Sequence, residues 1–270
     1  MTNLFDLKGR VILLTGGSGI LGGCMARHLA GEGCSVVILD RNAEGGIRLA
    51  NEIRKDGGKA LFRETDVLNR ETLVKNRQDI LAACGRIDVL INLAGGNMAG
   101  ATIPPDKTFF DLDLDAFRKV VDLNLFGTVL PTMVFAEVMV AQKKGSIINV
   151  SSESALRPLT RVVGYGCAKA AISNFTQYMA GELALKFGEG LRVNAIAPGF
   201  FLTEQNRALM TNPDGTPSDR CKTVMAHTPF NRLGRPDELL GTVQWLASDA
   251  SAFVTGTVTP IDGGFDAFSI

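Results

Sequence analysis

The stretch Arg10-Val-Ile-Leu-Leu-Thr-Gly-Gly-Ser-Gly-Ile-Leu-Gly22 constrains the fold more than any other part of this chain. Its aliphatic run has no polar alternation, the pattern of a strand buried on both faces of a parallel sheet. The run ends in a glycine-rich turn, and apolar residues then recur at helical spacing through Ile20, Met25 and Leu29. A strand delivered by such a turn into a helix opens a βαβ unit, and the turn brings free backbone N–H groups to the helix N-terminus.

The pattern repeats. Apolar runs at 35–40, 59–65, 87–93, 146–151, 192–197 and 257–261 read as strands, separated by helical stretches at 42–56, 70–84, 112–144, 164–187 and 235–248. Strands alternating with helices of this length indicate right-handed crossovers on a parallel sheet. The expected fold class is α/β, a Rossmann-type doubly wound parallel sheet of about seven strands with helices on both faces. No linker or low-complexity segment divides residues 1–270, so one domain is expected, with a long loop carrying helical pieces over about 200–235.

Composition narrows the function. The 28 basic and 28 acidic residues cancel, leaving no electrostatic footprint for nucleic acid or an anionic membrane. Cys24, Cys34, Cys84, Cys167 and Cys221 never fall in CxxC spacing, and His28 and His227 lie far from any cysteine pair, so no metal site is expected. Reduced thiols fit a cytoplasmic protein. The N-terminus lacks a signal pattern, and the most apolar helical stretch, 125–141, is broken by Pro131 and Glu137, so no membrane association is expected.

Chemistry concentrates in 152–169. If Tyr165 opens a helix, Lys169 at i+4 shares its face. A fixed positive charge beside a phenol favours the phenolate and brings its pKa toward the working range of a general base. Ser152 can hold the same substrate oxygen. By itself the pair also fits a surface helix with a partly buried tyrosine and a solvated lysine. The other tyrosine, Tyr178, is followed at i+4 by Glu182, so the pattern is not repeated.

Around it stand candidate nucleotide contacts. The turn 15–22 suits a pyrophosphate, although a tight βα turn that binds nothing has the same composition. Asp40, at the end of the second strand, can accept from ribose hydroxyls and repel a 2′-phosphate, favouring NAD over NADP. Asp40 can equally cap the next helix, and Arg41 can pair with a phosphate. Asp66 and Asn92-Leu-Ala-Gly-Gly96 close the third and fourth strands, where ligands bind in open parallel sheets and where ordinary turns also form.

Together these motifs resemble the short-chain dehydrogenase/reductase family over the whole length of the sequence. The resemblance rests on Thr15–Gly22, Asp66-Val67, Asn92–Gly95, Asn124, Ser152, Tyr165-x-x-x-Lys169, Arg192-Val-Asn-Ala-Ile-Ala-Pro-Gly199 and Asp262-Gly-Gly264. It implies that Tyr165 is the acid/base, that Lys169 lowers its pKa and holds the nicotinamide ribose, that Ser152 rather than Ser151 binds the reacting oxygen, and that Asn124 supports a water in the proton relay. The implied cofactor contacts are Gly16, Ser18, Gly19, Ile20, Leu21, Asp40, Arg41, Asp66, Val67, Asn92, Ala94, Gly95, Tyr165, Lys169, Pro198, Gly199 and Thr203. Two departures stand out: Ile20 occupies the family's middle glycine position, with glycine at Gly19 instead, and Leu93 replaces the second asparagine of the usual NNAG.

The 200–235 segment is rich in donors, and with the ending Pro260-Ile-Asp-Gly-Gly-Phe265 it resembles the D-mannonate oxidoreductases (fructuronate reductases) within that family. The resemblance implies a small polar substrate, a sugar acid, and an enzyme of sugar acid metabolism. Arg157, Gln205, Asn206 and Arg207 are the candidate substrate contacts, arginine being suited to bidentate carboxylate binding. Arg161 lies on the same loop as Arg157. Alternatives are reduction of 5-ketogluconate or a β-ketoacyl thioester, or a non-catalytic nucleotide-sensing scaffold, which an intact Asn124, Ser152, Tyr165 and Lys169 disfavour. The stretch 125–141, apolar nearly all round, must bury more than one face. The family resemblance implies that it does so in a homotetramer.

Overall fold

The computed structural model describes residues 3–268, with the side chain of Gln205 left out of the description. Its strands are β1 (Val11–Thr15), β2 (Ser35–Asp40), β3 (Lys59–Glu64), β4 (Val89–Asn92), β5 (Gly145–Val150), β6 (Leu191–Pro198) and β7 (Val258–Ile261). They form one seven-stranded sheet in the order β3-β2-β1-β4-β5-β6-β7, with every pairing parallel. The chain winds outward from β1 to β3, then returns to place β4 on the other side of β1. That reversal creates a crevice above the carboxyl ends of β1 and β4, where such sheets bind ligands.

Helices cover both faces: α1 (Ile20–Gly31), α2 (Ala43–Lys55), α3 (Arg70–Cys84), α4 (Leu114–Val121), α5 (Gly127–Gln142), the short α6 (Glu153–Leu156), α7 (Val163–Phe187), α8 (Glu204–Met210), α9 (Asp219–His227) and α10 (Leu240–Ala247). Strand side chains alternate between two buried layers. Ile12, Leu14, Val36, Ile38, Ile91 and Ile148 meet α1, α2 and α10 through Leu29, Leu49, Ile53 and Leu246. Val11, Leu13, Val37, Leu39, Leu90 and Ile147 meet α3, α5 and α7 through Ile80, Phe135, Met139 and Leu183. Each fully buried aliphatic side chain contributes on the order of 1.5–3 kcal/mol, so the two layers provide the main stabilising term. Helix ends follow local rules. Asn69 accepts from the Thr72 N–H to start α3, and Gly85 ends it with a left-handed φ of 74°.

Two stretches differ from expectation. The 112–144 region, expected to hold one or two helices, forms one continuous helical run across Pro131. Helix runs from Leu114 to Gln142 through a π-helical turn at Asp122–Phe126, and Pro131 lies buried inside α5. The π turn shifts the hydrogen-bond ladder just upstream, and the Thr128 and Thr132 hydroxyls bond the Asn124 and Thr128 carbonyls at 2.9 and 2.8 Å. This 29-residue helix is long and apolar enough to cross a membrane, and half of its most apolar window is buried within the fold, the behaviour of a core helix. The 235–248 helix opens as a 3-10 turn at Pro236–Leu239 before α10. In the 200–235 segment, α8 and α9 close over their own small cluster of Met210, Cys221 and Val224, with Phe200 and Leu233 against it.

Candidate active site

Tyr165 and Lys169 lie on the first turns of α7, and Ser152 lies just beyond the end of β5. The Ser152 hydroxyl hydrogen-bonds the Tyr165 phenol and also accepts from the Ser154 N–H, capping α6. Ser151 turns the other way: its Oγ bonds the Lys169 carbonyl and Ser173. The two serines thus face different ways, Ser152 toward Tyr165 and Ser151 toward α7. Lys169 is 4% exposed, donates to the Val150 carbonyl at 2.7 Å, and holds its Nζ 5.5 Å from the Tyr165 ring centroid.

The electrostatics differ from the sequence expectation. Burial pushes the Tyr165 phenol above its ordinary range, and the Ser152 hydrogen bond pulls only part of the way back. Burial also brings Lys169 down to about 7. Desolvation disfavours both charged forms, and here it outweighs any pull of the ammonium on the phenol. Tyr165 is therefore a neutral acid at neutral pH, and the proton most easily exchanged near pH 7 is on Lys169.

Asn124 sits in the π turn, fully buried. Its amide clamps Gly96 from both sides, accepting from the Gly96 N–H at 3.0 Å and donating to the Gly96 carbonyl at 2.7 Å. A Cβ placed on Gly95 would meet Asn124 Oδ1 at 2.6 Å and Lys169 Nζ at 3.3 Å. The loop after β4, the π turn and α7 thus converge on one point. π turns recur at functional sites because they offset side chains from the regular ladder.

Across the crevice, Gly16 has a φ of 65°, and a Cβ there would strike Ala94 Cα at 2.9 Å; at Gly22 it would strike the Gly16 carbonyl at 2.6 Å. These two glycines are fixed by packing. Gly19 has only the Gly16 carbonyl near, at 3.5 Å, and stands as the N-cap of α1 with no side-chain cap. The first-turn N–H groups at Ile20 and Leu21 therefore lack a capping side chain, as an anion-binding helix start requires. Asp40 Oδ2 accepts from the Ser18 N–H at 3.0 Å and Oδ1 from the Asn42 N–H at 3.0 Å, tying the turn to the end of β2, while Arg41 is exposed beside it. Asp66 accepts from Leu68 N–H in an Asx turn, and Val67 is buried with its Cγ2 close to Gly127. Pro198 ends β6, the Gly199 N–H bonds the Ile261 carbonyl, and Thr203 caps α8.

Some expected contacts are engaged elsewhere. Asn92 turns its amide into the fold, donating to Thr132 Oγ1 and Asn149 Oδ1 at 2.9 Å each. Arg157 binds Asp266 at 2.9 Å. Asn206 Oδ1 accepts from Thr203 N–H and its Nδ2 donates to the Phe201 carbonyl, closing a capping box. Arg207 pairs with Glu204 at 3.3 Å. The Gln205 side chain lies outside the described residues. Thr15 opens the turn read from the sequence, but its clamping role, Asn149 and Glu153 were not singled out there. Thr15 Oγ1 accepts from both Leu93 and Ala94 N–H at 3.1 Å, clamping β1 to β4 at the crevice. Asn149 bridges Asn92 to Thr176. Glu153 is 1% exposed, and among the described residues neither carboxyl oxygen has a hydrogen-bond partner. Burial first, then Asp262 and Asp266, raises it to about 8. A polar residue ending an apolar strand was the available signal for Thr15 and Asn149; Glu153 offered none.

Comparison with known proteins agrees with this geometry. A family model described as enoyl-(acyl carrier protein) reductase matches residues 17–266. An uncharacterised oxidoreductase of Bacillus subtilis, UxuB, is 45% identical, the match covering 98% of this chain and 97% of the relative. A crystal structure from Haemophilus influenzae, proposed to be a D-mannonate oxidoreductase and holding NAD, superposes with a TM-score of 0.91 at 42% identity, covering 98% of this chain and 97% of that one. A gluconate 5-dehydrogenase from Burkholderia cenocepacia, in complex with NADP and tartrate, gives a TM-score of 0.87 at 32% identity, covering 98% of each chain. Sheet order, crevice and matched length lead to one conclusion: the chain belongs to the short-chain dehydrogenase/reductase family and is an oxidoreductase acting on CH–OH groups.

Proposed function

We propose that this enzyme uses NAD to oxidise a secondary hydroxyl of a small sugar acid, and reduces the matching ketone in reverse, with D-mannonate and D-fructuronate as the pair. The observation that carries the reading is the convergence of Ser152, Tyr165, Lys169 and Asn124 on the carboxyl ends of β4 and β5, beside the uncapped start of α1. The NAD-holding Haemophilus relative supports both cofactor and substrate class.

The residues present fit a dinucleotide. Gly16 and Gly22 clear the crevice floor, the Ile20 and Leu21 N–H groups suit the pyrophosphate, and Asp40 supports NAD through repulsion of a 2′-phosphate. Ser18, Gly19, Asp66, Val67, Ala94, Gly95, Pro198, Gly199 and Thr203 line the remaining path, with Lys169 at the ribose. NAD supplies the hydride acceptor, and NADH the donor. The chain's residues handle the proton. In reduction, the neutral Tyr165 phenol donates its proton to the carbonyl oxygen, and Ser152 holds that oxygen by hydrogen bond. In oxidation the hydroxyl proton goes to Tyr165 once the phenol has passed its own proton on. Lys169, titrating near 7, and Asn124 supply the way out. Residues 1–270 act as one domain, with 200–235 as the substrate lid.

Assembly follows from the same reading. Phe126 and Met133 are 47% and 55% exposed on the π turn and α5, and a homotetramer would cover them. A second substrate reading, D-gluconate oxidation, is favoured by the Burkholderia neighbour.

The test is nicotinamide absorbance at parallel concentrations of D-mannonate and D-gluconate, each with NAD and with NADP. Reduction of NAD by D-mannonate is the expected result. Turnover of D-gluconate alone would transfer the reading to the second substrate, and preference for NADP would remove the role assigned to Asp40.

A further inference from the structure

The arginines flanking the site fall into two groups. Arg157, Arg207 and Arg232 each reach a carboxylate, at 2.9, 3.3 and 2.6 Å. Arg161 and Arg220 differ: among the described residues, no ion pair within 4.0 Å involves either of them. Instead they are neighbours through Thr160. Arg220, in the first turn of α9, donates to Thr160 Oγ1 at 3.2 Å and to the Thr160 carbonyl at 3.5 Å, which brings its guanidinium onto the residue next to Arg161. Burial and the positive charge of Arg161 both pull Arg220 below its ordinary range. Both side chains are half-buried. Two like charges held together away from full solvent repel, and the arrangement is relieved by an anion placed between them.

The backbone points the same way. Arg161 has a φ of 75°, a left-handed conformation that costs a non-glycine residue energy and persists where surrounding structure enforces it, often at ligand sites. Here the enforcing contact is the hydrogen bond from Ile103 N–H to the Arg161 carbonyl at 3.0 Å. That bond joins Arg161 to the loop after β4, whose Ala101 belongs to the small buried cluster against which Tyr165 packs. Arg161 is thus tied through its backbone to the loop beside Tyr165, and Arg220 reaches the neighbouring Thr160 from the segment proposed as the lid.

Resting on the function proposed above, we propose that Arg161 and Arg220 form a clamp for the carboxylate of a hydroxy-acid substrate, one guanidinium from the loop between Ser152 and Tyr165 and one from α9. The clamp fixes the acid end so that the hydroxyl-bearing carbon faces Ser152 and Tyr165. It selects acids over neutral polyols, and it couples substrate binding to the position of α9.

The test uses the full-length protein with Arg161→Gln, Arg220→Gln and Arg220→Lys, and Arg48→Gln on the exposed face of α2 as control. Thermal unfolding identifies any variant that fails to fold, and the Lys variant keeps the charge while removing the fork. D-Mannonate, D-gluconate and tartrate are titrated onto the protein–NADH complex by calorimetry, and KM is measured with NAD for whichever acid turns over. Losing one charge-assisted contact to the substrate is expected to weaken Kd and raise KM roughly tenfold to a hundredfold, with kcat changed far less. Arg220→Lys should recover part of the loss, and the control should match wild type. Acids that bind, lose affinity in both Gln variants, yet never turn over would uphold the clamp while removing the sugar-acid oxidation reading. Turnover of D-mannonate with KM unchanged in both Gln variants would overturn the clamp and leave that reading standing. Failure of all three acids to bind the wild-type complex would also overturn the clamp.

Discussion

At the scale of single residues, chemistry turns on which charges burial permits. Tyr165 is raised and Lys169 lowered by the same desolvation, so the Ser152 hydroxyl is the group that directly eases the phenol's ionisation. Ser152→Ala removes that hydrogen bond together with one donor to the reacting oxygen, and kcat is expected to fall on the order of 10²–10³-fold with little change in NADH affinity measured by fluorescence titration. Asp40 makes a second residue-scale prediction. Its carboxylate holds the Ser18 and Asn42 N–H groups, so Asp40→Asn keeps an acceptor and removes the charge. The NADP-to-NAD ratio of kcat/KM is expected to rise about tenfold or more, and an unchanged ratio would take cofactor choice away from this residue. The pairing of Tyr165 with Lys169 was legible in the sequence because residues four apart share a helix face, whereas Asn124 entered only through the family resemblance. The partners of Arg157, Asn206 and Arg207 were not legible, since a polar side chain carries no mark of what it pairs with. Only the fold shows Asp266, Thr203 and Glu204 taking them.

At the scale of elements, strands were read to within about two residues because hydrophobic runs bounded by turn residues are local signals. The path through Pro131 was not, because a π turn is a property of the hydrogen-bond ladder and leaves no composition behind. α6 was also missed, being four residues long, and with it the burial of Glu153. That carboxyl titrates near 8 against an ordinary 4.5, raised by burial and then by Asp262 and Asp266, with Arg157 opposing. A folded pKa above the unfolded one means that the folded state holds the proton more tightly. Its contribution to stability is therefore complete below about pH 4.5 and is lost as pH rises through about 8. Glu153→Gln removes this dependence. In differential scanning calorimetry the variant should match wild type within a few degrees near pH ~5 and melt at least ~4 °C above it near pH ~9. A Tm difference independent of pH would show that Glu153 does not ionise in this range.

For the whole molecule, sheet order does most of the positioning. The reversal at β1 and β4 opens one crevice, and the glycine turn, the β4 loop, the π turn and α7 all discharge into it. This arrangement was legible early, since alternating strands and helices with right-handed crossovers leave few topologies. Assembly is less legible, because an apolar helix face reads the same whether a second layer or a second subunit covers it. Phe126 and Met133 remain open, and if the proposed homotetramer covers them, Met133→Glu lowers the light-scattering mass. An unchanged mass would remove this face from the interface. The central claim, that Tyr165 moves the proton while the crevice holds the nucleotide, is tested most directly by Tyr165→Phe. Turnover of D-mannonate with NAD should fall by at least ~10³-fold while NADH titration gives wild-type affinity. Retained turnover in a variant that still binds NADH would contradict the account.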